Sequence, residues 1–312
     1  MTKKHSSYAI VIGIFAILGV GIIQIPTMQQ LAYAHTFSGD ESADFIATVA
    51  KVRAELRLIN STILTNASQA IEHVRNAVRD FPANDTKEIA EKNQRIATDL
   101  SKNLSDLQNM TTANISPNMA DTIMTIKQKS RDTDALLSEA LSVRVEPDQL
   151  KNSTVYGLAV ANLLNETLEH YAEALGIGKS ENSSTSASST NNASMMVTMD
   201  NSSGMSSSNT ATIVDFANYQ STRGLVNMTT ELWSKTKSLA NMTTNTNALS
   251  KVDSDIAQLK SLVDGKASYL QVATFVYNTI YADLNSALNL GLQKVDANKA
   301  IENATSGEDT TK

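Results

Sequence analysis

The sequence predicts an all-α protein built from antiparallel helical bundles. Three observations carry that expectation. Apolar residues recur at intervals of three and four over long stretches. Turn formers are scarce, with 12 Gly and 4 Pro in 312 residues. Runs of β-branched and aromatic residues at period two, the mark of strands, are few.

The first 34 residues read as an export signal. Lys3 and Lys4 precede an apolar run from Tyr8 to Ile25, followed by Pro26 and by small residues at Ala32 and Ala34. Charge, apolar stretch and small-residue cleavage site is the order of a secretory signal peptide. Because the run is at the lower limit for crossing a bilayer, an uncleaved anchor is the alternative, and the membrane then enters only through this segment. Cleavage after Ala34 would make His35 the first residue.

The helices follow in order. Ser38 and Glu41 have the spacing of a capping box, and Phe45, Val49, Val52, Leu56, Ile59 and Ile63 form one apolar stripe after it. A second helix is expected from Ser68 to Phe81, ended by Pro82. Asp85 and Glu88 form another capping-box spacing, which predicts one helix carrying Ile89, Ile96, Leu100, Leu104 and Leu107. Pro117 and Pro147 sit where first-turn prolines are tolerated and open a fourth and a fifth helix. The fifth runs to Leu175 before Gly176 and Gly178.

Residues 38–178 therefore read as a larger bundle. Residues 179–211 are rich in Ser, Asn, Thr and Met and read as a disordered linker. Periodicity resumes over 212–292 in a smaller helical part, and 293–312 form a polar tail.

Composition narrows the function. With no Cys, disulfides, iron–sulfur clusters and thiolate metal sites are excluded. A net charge of −6, with both signs mixed along the chain, offers no basic face for nucleic acid. Fourteen Asn residues carry Ser or Thr two places on: Asn60, Asn66, Asn84, Asn103, Asn109, Asn114, Asn152, Asn165, Asn182, Asn192, Asn201, Asn227, Asn241 and Asn303. That excess predicts an N-glycosylated, extracytoplasmic chain.

Metal chemistry has three sets of candidate residues. A free N-terminal His35 offers an amine and an imidazole to one ion, and a further nitrogen from His73 or His170 would complete a copper-binding brace. His73 falls at the border of its apolar stripe, as a bundle-lining polar group would. His170 falls opposite the Leu164–Leu168–Leu175 stripe, which argues against a core histidine. It faces either solvent or a second helix layer. Glu166, one turn before it, opens a mixed carboxylate–imidazole site. Met195, Met196, Met199 and Met205 lie within eleven residues, and their thioethers suit Cu(I).

Nothing in the sequence marks an enzyme. Neither a nucleophile elbow nor a Gly-rich phosphate loop is present. The segments Ala32-Tyr-Ala-His-Thr-Phe-Ser-Gly-Asp-Glu-Ser42, Lys87-Glu-Ile-Ala-Glu-Lys-Asn-Gln-Arg-Ile96 and Leu168-Glu-His-Tyr-Ala-Glu-Ala-Leu-Gly176 resemble a group of uncharacterised secreted helical proteins of ammonia-oxidising archaea. The resemblance implies an archaeal cell surface in organisms that depend heavily on copper. Two functions are expected from this reading: a copper-binding exported protein centred on His35, or a non-catalytic envelope scaffold with a protein partner and no metal.

Overall fold

Four stretches of the chain, 41–112, 120–177, 210–240 and 246–292, are described by the computed structural model. Among these residues the chain is helical throughout and contains no strand. The all-α expectation is met.

The helix α1 (Glu41–Thr62) carries acids in its first turn, where the helix dipole favours them. It buries Phe45, Val49, Val52, Leu56 and Ile59, the stripe read from the sequence. The next helix, α2 (Ala67–Arg79), is capped by Asn66, whose side chain accepts from the Gln69 amide at 3.2 Å.

The helix expected from Asp85 to Leu107 is two helices. α3 (Ala83–Lys92) and α4 (Gln94–Thr112) are separated by Asn93, which is extended at φ −155° and ψ 96°. Asn93 Oδ1 accepts from the Ile96 amide at 3.3 Å and so caps α4. Asp85 lies inside the first turn of α3, and Pro82 occupies the N-cap position.

A long helix, α5 (Ala120–Arg144), follows. Pro147 does not open the next helix directly. A short 3₁₀ turn, Gln149–Lys151, intervenes, and Asn152 caps α6 (Ser153–Ala174) by accepting from the Thr154 amide at 2.9 Å. Gly176 at φ +74° supplies the left-handed residue after the helix.

In the C-terminal half, the periodicity expected over 212–292 forms α7 (Phe216–Leu239), α8 (Thr246–Asp264) and α9 (Tyr269–Phe275), with α7 capped by Asp215 and α9 by Ser268; the apolar stripe from Tyr269 to Leu288, readable as one helix, is divided after Phe275. A π turn, Val276–Ile280, joins α9 to α10 (Tyr281–Leu288).

The described residues before and after 178–209 share one hydrophobic core. The most extensive helix pair is α6 against α7, and α1 packs on α2, α5, α6 and α7. Leu288 of α10 sits so close to Gly157 on α6 that a Cβ there would collide with it. The Val214 and Asp215 amides donate to the Ala174 carbonyl at 2.9 and 3.1 Å, which ties the start of α7 to the end of α6.

The core accommodates hydroxyls without leaving them unpaired. Thr133, Thr167, Thr222, Thr229 and Thr236 are each fully buried, and each donates its hydroxyl to the carbonyl four residues earlier.

Candidate metal centre

The helices α1, α2, α6 and α7 meet around a buried polar cluster. On α1, Glu55 lies inside the apolar stripe, flanked by Val52, Leu56 and Ile59, and has no exposed surface. On α2, His73 is equally buried. Asp80, seven residues or nearly two full turns later, falls on the same face as His73 at the end of that helix and is 8% exposed. His170 on α6 is 4% exposed.

Hydrogen bonds hold each group in one orientation. His73 Nδ1 meets Glu55 Oε2 at 2.7 Å, and His73 Nε2 meets Gln220 Oε1 at 3.1 Å. Both ring nitrogens of His73 thus face oxygen acceptors. His170 Nδ1 meets Asn218 Oδ1 at 3.0 Å. The Asn218 amide is itself oriented because its Nδ2 donates to Asp215 Oδ2 at 3.1 Å. With Asn218 accepting, Nδ1 of His170 is the donor and Nε2 keeps the lone pair.

Two carboxylate oxygens remain unsatisfied. Glu55 Oε1 and Asp80 Oδ2 are buried and have no hydrogen-bond partner among the described residues. Asp80 Oδ1 accepts from Arg79 Nε at 3.3 Å. A buried carboxylate oxygen without a donor costs about 1–3 kcal/mol, and more when charged. The residues that carry these oxygens converge with an imidazole: one ligand atom from each of Glu55, Asp80 and His170 lies within 4.8 Å of the other two.

Two protein cations lie within the field of the cluster's carboxylates. Burial opposes the charge on Lys51, yet Glu166, Asp80 and Glu169 outweigh it and hold its ammonium above the ordinary lysine value. Burial likewise opposes the charge of Arg79, and Asp80, Glu173 and Glu55 outweigh it.

Several residues singled out in the sequence can now be placed. His73 lines the bundle, as its helical position suggested. His170 is a core residue after all, because α7 covers the face opposite its leucine stripe. Glu166 points elsewhere and pairs with Lys51 at 2.9 Å. His35, Met195, Met196, Met199 and Met205 lie outside the described residues.

Sequence reasoning passed over Glu55 and Asp80. The readable signal for Glu55 was a carboxylate in the middle of an apolar stripe. For Asp80 it was an acid two turns after His73, immediately before the Phe81-Pro82 stop.

The sequons divide by environment. Asn66, Asn84, Asn109, Asn152 and Asn227 are exposed. Asn60 and Asn103 are half-buried, and Asn60 donates to the Leu56 carbonyl at 3.0 Å while Asn103 accepts from Lys129 at 3.1 Å. Asn165 is also half-buried and accepts from the buried Tyr281 hydroxyl at 2.7 Å. Asn114, Asn182, Asn192, Asn201, Asn241 and Asn303 lie outside the described residues.

No protein family matches the chain, and no curated protein or solved structure matches it significantly. No helix among the described residues is long and apolar enough to cross a membrane.

Proposed function

We propose that this chain is an exported, N-glycosylated helical protein of the cell surface whose function is to bind a metal ion in the cluster between α1, α2 and α6. The observation that carries this reading is the convergence of an oriented imidazole with two buried carboxylates that each keep one oxygen without a hydrogen-bond partner. Buried charges in proteins are paired or coordinate metals. Here the protein supplies no partner for either oxygen, and a cation would supply one to both.

Export and glycosylation rest on the signal-like N-terminus and the sequon excess. The exposed Asn66, Asn84, Asn109, Asn152 and Asn227 support the glycan part of the reading. The copper reading of the sequence moves with the metal: His35 stays a second candidate ligand, but the buried cluster needs no free N-terminus.

The test is to purify the protein from a secreting archaeal host without chelators, sequence its N-terminus and measure its metal content. About one ion per chain, retained through dialysis and lost on replacement of Glu55 and Asp80 by their amides, is the expected result. A metal-free secreted protein that takes up no ion would remove the reading and leave the envelope-scaffold alternative.

A further inference from the structure

We infer that the ion is a four-coordinate divalent cation of the zinc class, held by Glu55 Oε1, Asp80 Oδ2 and His170 Nε2, and that His73 is a positioning residue rather than a ligand. This inference rests on the metal reading above and adds the kind of ion, its ligand atoms and the part played by His73.

The donor set comes first. Two carboxylate oxygens and one imidazole nitrogen contain no sulfur, so the site has none of the soft donors that select Cu(I). Calcium takes six to eight oxygen ligands, and magnesium keeps an octahedral shell with several waters. Neither fits a pocket whose three donors are at most 8% exposed and which includes a nitrogen. Zinc takes four ligands, often three from protein and one water, from this mixture of oxygen and nitrogen.

Distance points the same way. Ligands at about 2.1 Å from a tetrahedral zinc stand roughly 3.4 Å apart. One ligand atom of each of the three residues lies within 4.8 Å of the other two, so a modest contraction brings the set to zinc spacing. Each donor comes from a different stretch of chain: α1, the end of α2, and α6. An ion would therefore cross-link all three.

The hydrogen bonds assign the supporting roles. His73 Nδ1 holds Glu55 Oε2 at 2.7 Å, which fixes that carboxylate and leaves Oε1 without a protein partner. Because His73 Nε2 is engaged with Gln220 Oε1, neither nitrogen is left for the metal. Asn218 fixes the His170 tautomer with Nε2 available, the familiar arrangement in which a ligating imidazole donates its other N–H to an outer partner.

The experiment uses the full secreted chain, stripped with a chelator and titrated separately with Zn(II), with Co(II) as a visible-absorption probe, and with Cu(I). Tight 1:1 Zn(II) binding is expected, with intense Co(II) bands typical of four-coordination. X-ray absorption on the wild-type zinc form should show oxygen and nitrogen donors, including one imidazole, and no sulfur. This measurement needs no variant to fold. Glu55→Gln, Asp80→Asn and His170→Gln should each weaken zinc by about 100-fold or more, and His35→Ala should leave it unchanged. His73→Gln and Asn218→Ala should keep the 1:1 stoichiometry but weaken zinc about 10-fold and alter the Co(II) spectrum.

Zinc affinity unmoved by the three ligand substitutions would overturn the inference. So would a six-coordinate ion lost on replacement of Glu55 and Asp80, although the broader metal reading would survive that result; a sulfur-ligated Cu(I) complex as the sole tight species would remove both. Failure of every ion to bind would remove both. A second imidazole in the zinc shell, lost in His73→Gln, would overturn the positioning role.

Discussion

Among the described residues, carboxylates are buried in two places, and the two are solved differently. Between α8 and α10, Asp255 and Asp283 are each 8% exposed, and Asp255 Oδ2 has no partner among the described residues. Asp283 receives Lys251 Nζ at 3.0 Å. Burial, then hydrogen bonding to Asp283 and its charge, push the Asp255 carboxyl up to about 6. There one carboxyl faces another, and burial beside a second acid raises the proton affinity of Asp255. At the α1–α2–α6 cluster two carboxylates also lie near each other, but an imidazole from α6 joins them and Arg79 reaches Asp80. Glu55 already has a ring nitrogen on one oxygen, and its other oxygen has no partner among the described residues. A proton on Asp255 relieves the first pair; three donors from three helices call for an ion. The comparison teaches that an unpaired buried oxygen signals a ligand only when its neighbours are donors to metal rather than acceptors of a proton.

The largest expected effect breaks the first half of that contrast. In metal-free protein, Glu55→Ala strands His73 in the core and should lower stability by about 3–5 kcal/mol, measured by urea unfolding. Replacing Glu55 and His73 together by leucines should recover much of that loss, because the pair is then absent rather than broken. If Glu55→Ala costs nothing, the cluster is more open to water than its burial indicates, and the contrast fails.

The second effect is smaller and has the opposite sign. Asp255 titrates near 6 in the folded chain, against an ordinary value of 3.8. Between those values the folded state binds more protons than the unfolded state, so stability falls as pH rises through this window and stays lower above it. Asp255→Asn removes the penalty. Its stability should match the parent below pH 4 and exceed it by about 1–2 kcal/mol at pH 8. Thermal unfolding at the two pH values checks this, and a variant less stable than the parent at pH 8 would show that the pair is held by something other than a proton.

The third effect separates two sequons that look alike in sequence. Asn165 holds the Tyr281 hydroxyl, so Asn165→Gln should cost about 1 kcal/mol and leave the glycan mass of the secreted protein unchanged. Asn227 is exposed on α7. Asn227→Gln should leave stability unchanged and remove one glycan. Intact-mass measurements on both variants decide between them.

Much of the fold was legible because helical periodicity is a local property. The stripes of α1, α2, α7 and α8 needed only the spacing of Phe45, Val49, Val52 and their counterparts. The break at Asn93 was not legible, because the Asp85–Glu88 spacing imitates a helix start two residues inside α3, and an Asn cap in mid-stripe leaves the apolar rhythm intact. For the site, His73 was placed by its angle on α2 alone. The face of His170 was open to solvent or to a second helix layer, and α7 supplies that layer across a stretch of sequence with no periodic signal. Glu55 was passed over because a lone acid in a mixed-charge chain is usually solvated. Only tertiary packing shows that this one is not.

The back-bonded threonines carry a consequence for the chain before it folds. In the finished protein, Thr133, Thr167, Thr229 and Thr236 fill core volume much as valines would, with their hydroxyls turned onto their own helices. In an extended chain those same hydroxyls are free for water. The precursor of this core is therefore less sticky than the core itself, since segments that become interior are interrupted by groups that resist association between unfolded chains. A polypeptide threaded through a membrane before folding benefits from an interior whose apolar character emerges only once the helices have formed.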